Sequence, residues 1–149
     1  MTADFADATM LIALARLQGS PAVIDDATHI RRDHLTPVGR DECPAINLLD
    51  GEDVPRRSGS CDAERAFEFV ARVIVRNDAG MSVAREIGRG VLERLNPENA
   101  AVPSYPNGVS IEFGPVRPMW ELADEDIVAL DLHFTAKYTA PAFALGELA

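Results

Sequence analysis

Between Ala66 and Leu95 the hydrophobic period of the chain changes from two residues to nearly four, and this change limits the available folds more than any other feature. Phe67, Phe69, Ala71, Val73 and Val75 alternate with Ala66, Glu68, Val70, Arg72, Ile74 and Arg76. That is the spacing of a strand with one apolar face. Beyond Asn77-Asp78, Val83, Ile87, Val91 and Leu95 recur four apart, along one side of a helix. A strand that runs directly into an amphipathic helix predicts a sheet with a helix laid on one face. The stretch carries no catalytic motif.

The flanking sequence extends this pattern. Asp4 to Gln18 is predicted as a helix with Met10, Leu11, Leu14 and Leu17 on one side, stopped by Gly19-Ser20-Pro21. Ala22-Val23-Ile24 is a short strand candidate, and the polar Asp25 to Gly39 segment an irregular crossing. Ala45 to Leu49 is the next strand. Asp50 to Asp62, DGEDVPRRSGSCD, is a turn-rich insertion, either a contact loop or a solvated hairpin tip. After the second helix, Asn96-Pro97 and a linker lead to Asn107-Gly108, a turn signal. Val109, Ile111 and Phe113 alternate as a strand ended by Gly114-Pro115. In the last strand Val128, Leu130, Leu132, Phe134, Ala136 and Tyr138 share one face, and Ala129, Asp131, His133, Thr135 and Lys137 the other. A half-polar second face suits an antiparallel sheet open on one side. The predicted class is α+β: a mixed, mostly antiparallel sheet flanked by two main helices in the order α-β-β-β-α-β-β, as one domain over residues 1–149.

With 24 acidic and 14 basic side chains the formal net charge is −10. A nucleic-acid-gripping surface needs clustered Lys and Arg, so that class is disfavoured; a surface that DNA slides past would be acidic. No apolar run approaches the roughly 20 residues of a membrane helix. Asp4 and Asp7, with no basic region before the first apolar segment, argue against a signal peptide, and synthesis in the cytoplasm is expected. Cys43 and Cys61 are two reduced thiols or a disulfide across the intervening loop; without a CxxC spacing they make no zinc site.

Other residues with chemical potential also fail to converge. His29 and His34 flank Arg31, Arg32 and Asp33 at a spacing that aligns poorly for a metal, and His133 falls on the polar face of the last strand. Gly88-Arg89-Gly90 lies inside a helix rather than between strand and helix, so it is no phosphate loop. The two glycines instead predict close packing of the helix on the sheet or on a neighbouring subunit. Asp25-Asp26, Glu52-Asp53 and Asp124-Glu125-Asp126 are solvated charge or, as the alternative, lumen or interface charge. Against this acidic background the pairs Arg31-Arg32 and Arg56-Arg57 stand out as partners for carboxylates of a neighbouring subunit. No catalytic residue, metal site or cofactor is predicted, and the chain reads as a non-enzyme.

Taken in order, the elements resemble the tail terminator (tail completion) proteins of long-tailed, siphovirus-like phages and of related prophage or gene-transfer particles. The resemblance rests on the Ala/Leu-rich first helix, the DGEDVPRRSGSCD insertion, the strand AFEFVARVIVR and the helix AREIGRGVLERL. It continues through GVSIEF, the Trp120 segment ahead of acidic residues, and IVALDLHFTAKY. It implies a homo-hexameric ring that caps the tail tube, stops its polymerisation and joins it to the head connector or head-closure protein. DNA would pass through the lumen without specific binding, and the place in the virion would be the tail–neck junction. The 50–62 insertion would reach toward the tube protein, with Arg56 and Arg57 making the contact. A ring also needs two different patches per subunit: the polar face of the Glu68 to Arg76 strand and the surface around Trp120 are the candidates. Trp120 is either an exposed anchor or a core residue covering one end of the sheet. The alternatives are another neck component, a head-closure or head–tail adaptor protein, and a small α+β ligand-binding or enzyme domain.

Overall fold

The computed structural model describes residues 5–19, 21–58, 62–99, 103–106 and 108–141. Helix α1 spans Phe5–Gln18 and α2 Gly80–Leu95; the strands are β1 Ile30–Arg32, β2 Ala45–Ser58, β3 Asp62–Arg76, β4 Ser110–Pro118 and β5 Ile127–Pro141. They form one sheet in the order β1-β2-β3-β5-β4. Only β1 and β2 run parallel. The class is therefore α+β with a mixed, mostly antiparallel sheet, and the predicted order α-β-β-β-α-β-β holds.

The two strands with the clearest two-residue period lie at the centre. β3 and β5 stay in unbroken register from Asp62 opposite Pro141 to Arg76 opposite Ile127. This puts Phe67, Phe69, Ala71 and Val73 beside Leu130, Leu132, Phe134 and Ala136, all buried on the face that the helices cover. The Phe69 and Phe134 rings stack at 5.1 Å.

Both helices bury most of the predicted side but are rotated from it: Met10, Leu14 and Leu17 of α1 and Ile87, Val91 and Leu95 of α2 pack on the core, whereas Leu11 and Val83 do not. In α1 the buried residues are Phe5, Thr9, Met10, Ala13, Arg16 and Leu17, while Leu11 is exposed. Phe5 fixes this rotation by stacking on Tyr138, ring centroids 3.6 Å apart. In α2 the buried side is Ala84, Gly88, Val91 and Leu95, with Val83 on the exposed rim and Ile87 half-buried. Small residues face the sheet because the helix lies close to it: a Cβ on Gly88 would stand 3.4 Å from Leu130 Cδ2 and 3.5 Å from Leu132 Cδ2. Gly90 faces Val23, whose Cγ2 would stand 3.0 Å from an added Cβ.

The carboxyl ends of the two helices are tied to each other. Arg16, 2% exposed, donates to the carbonyls of Arg94 (3.1 Å), Asn96 (2.9 Å) and Pro103 (2.8 Å). Arg94 donates in return to the carbonyls of Arg16 (3.2 Å) and Pro21. Each guanidinium thus satisfies carbonyls at the negative end of the other helix. The Arg16 guanidinium also lies 4.5 Å above the Tyr105 ring. Burial pushes the Tyr105 phenol up to about 12, with the Arg16 charge opposing.

Four sequence expectations change here. Ala22-Val23-Ile24 is not a strand; the Val23 N–H goes to the Leu17 carbonyl, which ties the segment to the end of α1. The short strand is Ile30–Arg32, inside the predicted irregular crossing, and it pairs with Ile46 to Leu48. The predicted 50–62 insertion is largely strand, since β2 continues to Ser58 opposite Ala63. Turn-forming residues fit there because β1 stops opposite Leu48, leaving the rest of β2 as an edge that tolerates Pro55. Bulges between Asp50 and Asp53 and between Pro55 and Arg57 absorb the extra residues. Gly51 is required at the first: a Cβ there would meet the Glu68 carbonyl oxygen at 2.5 Å. β4 likewise runs past Gly114-Pro115 through a bulge to Pro118.

Candidate interaction surface

Among the described residues no α-helix covers the second face of the sheet, and its charges are sorted by depth. Near the β1 end, Asn47 exchanges two hydrogen bonds with the His34 backbone (3.0 and 2.9 Å), holding the 34–44 segment over the strands. Val38, Cys43, Met119 and Ile127 close over Ala45, Ile74 and Ala129. Beside this small apolar cluster Arg72 grips Asp131 through Nε and Nη2 at 2.8 and 3.0 Å, with Asp131 only 3% exposed. The carboxylate holds the Arg72 guanidinium above its ordinary pKa. Next to the pair lies a cleft of about 370 Å³ lined by Leu35, Val38, Asn47, Leu122 and Asp124 among others. It offers no nucleophile paired with a base. His34 is engaged by Arg31 at 2.7 Å, and Cys43, whose thiol burial pushes up, lies 3.6 Å from the Gly39 carbonyl oxygen.

Toward the β2–β3 arm the face is open and polar. Lys137 pairs with Glu112 at 2.9 Å and Arg56 lies 3.8 Å from Glu68, all four side chains at least one-third exposed. Pairs this wet contribute little stability. Arg56, Glu112 and Lys137 line a shallow groove with Glu64 and Thr135. On the helix side of the same arm a different cluster closes the core: Asp53 accepts from Arg65 Nε at 3.0 Å and from the Tyr138 hydroxyl.

The predicted contact residues do not converge. Arg56 is exposed on the arm; the backbone of Arg57 pairs with Glu64, and its side chain lies outside the described residues. Trp120 opens a short 3-10 helix, Trp120–Leu122, at the far end of the sheet and is 61% exposed. Met119, rather than Trp120, packs against the strands, and Leu122 lines the cleft.

Arg31 and Arg32 are not free for a neighbouring chain. Arg31 bonds Glu42 at 2.7 Å, and Arg32 bonds both Asp50 oxygens at 3.0 and 2.7 Å and also Asp7. The parallel strand β1 sets Arg32 beside the start of the β2 bulge, where Asp50 meets it. His29 lies 3.5 Å from Asp26. His133 Nε2 is buried without a hydrogen-bond partner among the described residues, beneath Gly114 of the β4 bulge. Cys61, and with it the alternative of a disulfide, falls outside the described residues.

Among the described residues no three His, Cys, Asp or Glu side chains are grouped to hold a metal, and no helix is long and apolar enough to cross a membrane. Sequence reasoning missed the Arg72–Asp131 pair. The available signal was a charged residue in the middle of each central strand, but pairing them requires the register.

No protein-family model matches the chain, and no curated protein does. Among solved structures it is similar to a chain of the "Virion of native gene transfer agent (GTA) particle", with a TM-score of 0.63 at 18% identity. The match covers 91% of this chain and 98% of that chain. The two share their fold almost from end to end.

Proposed function

We propose that the chain is a non-enzymatic structural protein of a virion or gene-transfer particle, and within it the tail terminator. In this role six copies close into a ring on the finished tail tube, stop its growth and present a surface to the head connector or head-closure protein. One observation carries the proposal: the fold match to a gene transfer agent virion chain spans nearly the whole of both chains. The rest is consistent with it. Among the described residues one face of the sheet has no α-helix, Trp120 is exposed, and the paired charges of the cleft lack the geometry of an active site. A net charge of −10 suits a lumen through which DNA passes without being held. Arg56 on the exposed arm, with Arg57 beside it in sequence, is assigned to the tube.

The test mixes the purified protein with polymerising tail-tube protein and follows tube length and end structure by negative-stain electron microscopy. The expected result is tubes that stop growing and carry a ring at one end. Tubes that keep growing with bare ends overturn the terminator role. A head-closure or adaptor protein would bind the connector and leave tube growth unchanged. Arg56→Glu with Arg57→Glu is expected to abolish capping while leaving the chain folded.

A further inference from the structure

The helix layer does not reach across the whole sheet. α2 lies over β3 and β5, and α1 over β1 and β2, so among the described residues neither α-helix lies squarely over the helix-side residues of β4. Phe113 and Val116 are consequently 48% and 40% exposed. Between α2 and β4 runs a groove of about 190 Å³ with Leu130 and Leu132 as its floor and Val116 and Leu92 on its walls. Gly88 deepens it by having no side chain. Arg85 and Arg89 line the groove on the α2 side, both exposed. Neither has an ion-pair partner among the described residues, in a chain whose net charge is −10. Like charges four apart on a helix repel each other. An apolar floor with an unpaired basic rim fits an apolar anchor flanked by acids.

The chain carries such a segment. Trp120 is 61% exposed, and Glu125 and Asp126 follow it, exposed and without an ion-pair partner among the described residues. The segment belongs to the other side of the sheet: Leu122 lines the open-face cleft and Met119 packs on the Ala45, Ile74 and Ala129 cluster. The sheet therefore stands between the groove and the segment, and no copy seats its own Trp120. We infer that the α2–β4 groove of one copy receives Trp120, with Glu125 and Asp126 facing Arg85 and Arg89, from the next copy of the same chain. The two patches differ, so the contact is head-to-tail, the kind that a rotation closes into a ring. The inference rests on the assembly proposed above and names the surfaces that join.

Two measurements test it, each on the protein alone and on the protein with tail tubes. In the first, Arg89→Cys and Glu125→Cys are combined in a chain with Cys43 and Cys61 replaced by Ser, which keeps Trp120 as the anchor, then mildly oxidised. A ladder of covalent oligomers is expected from the double variant and only monomer from either single one. In the second, native mass measurement follows Arg85→Glu/Arg89→Glu, Glu125→Arg/Asp126→Arg and the fourfold combination. Each reversed pair is expected to weaken self-association roughly tenfold or more, and the combination to restore it.

If the wild-type chain assembles but the reversals change nothing and no ladder forms, this pairing is wrong while the ring proposal stands. A covalent product that stops at the dimer also overturns the pairing, because it marks a two-fold contact. A wild-type chain that stays monomeric even on tubes overturns both.

Discussion

On one face of the sheet Phe69, Leu130, Leu132 and Phe134 lie beneath α1 and α2; on the other, the same two central strands carry Arg72, Asp131, Thr135 and Lys137 with only short segments above them. The covered face is held by area removed from water, at about 25 cal/mol per Å² of apolar surface. Charge on the open face is treated according to depth. Where the 34–44 and 119–127 segments close over it, the charges are matched in bidentate geometry. Where nothing closes over it, they are left as loose surface pairs. The difference teaches that an open sheet face is not uniform: one end is a second small core, and the other is free to meet a partner.

The comparison can be broken most forcefully at Phe134. Phe134→Ala should cost about 3–5 kcal/mol in urea unfolding, through lost burial and the cavity beside Phe69 and Phe113. A loss near zero would mean that the helix layer is not the main core. Arg72→Met should cost about 3 kcal/mol, because it strands the buried Asp131 carboxylate. Arg72→Met with Asp131→Leu should recover most of that loss. Failure to recover would assign the pair a role beyond mutual neutralisation.

A smaller effect belongs to the helix layer. The Tyr105 phenol is raised to about 12 from an ordinary value of 10.0. In that window the folded chain keeps a proton that the unfolded chain has lost, so stability should fall as pH rises from 10 to 12, by about 1 kcal/mol per pH unit at most. The slope should flatten in Tyr105→Phe, read from urea midpoints at pH 9 and 11.5. The smallest effect is on the open arm. Lys137→Ala should change stability by less than about 0.5 kcal/mol, since its bond to Glu112 is exposed. A larger loss would mean that the arm is more closed than its exposure implies.

The central strands were legible because β3 and β5 each bury one apolar face and alternate without a break. The inward side of α2 was legible only in part, in Ile87, Val91 and Leu95, since Ala84 and Gly88 carry no hydrophobic signal and face the sheet because they are small. β1 is three residues long with one apolar member, Ile30, and its position depends on Ile46 to Leu48, far along the chain. The outer half of β2 reads as turn because its outer edge accepts Pro55 and its first bulge, pressed against Glu68, requires Gly51. At the candidate surface, Arg56 and Trp120 were visible by residue type alone. Arg31 and Arg32 looked available for the same reason, and only the fold brings Glu42, Asp50 and Asp7 to them. Arg16 was unreadable as a cap on α2, because the carbonyls it serves lie about 80 residues away.

The bulges and prolines of the outer strands have a consequence for how this chain meets other proteins. β1 ends after three residues, β2 continues with two interruptions and Pro55, and β4 carries Pro115 and Pro118. A clean strand edge would accept any extended peptide and pass the same invitation to the next molecule, the route by which stacks grow without limit. With both rims spoiled, recognition passes to side chains. A contact made through side chains is specific to the surface that matches it, whereas a bare strand edge pairs with almost any extended chain.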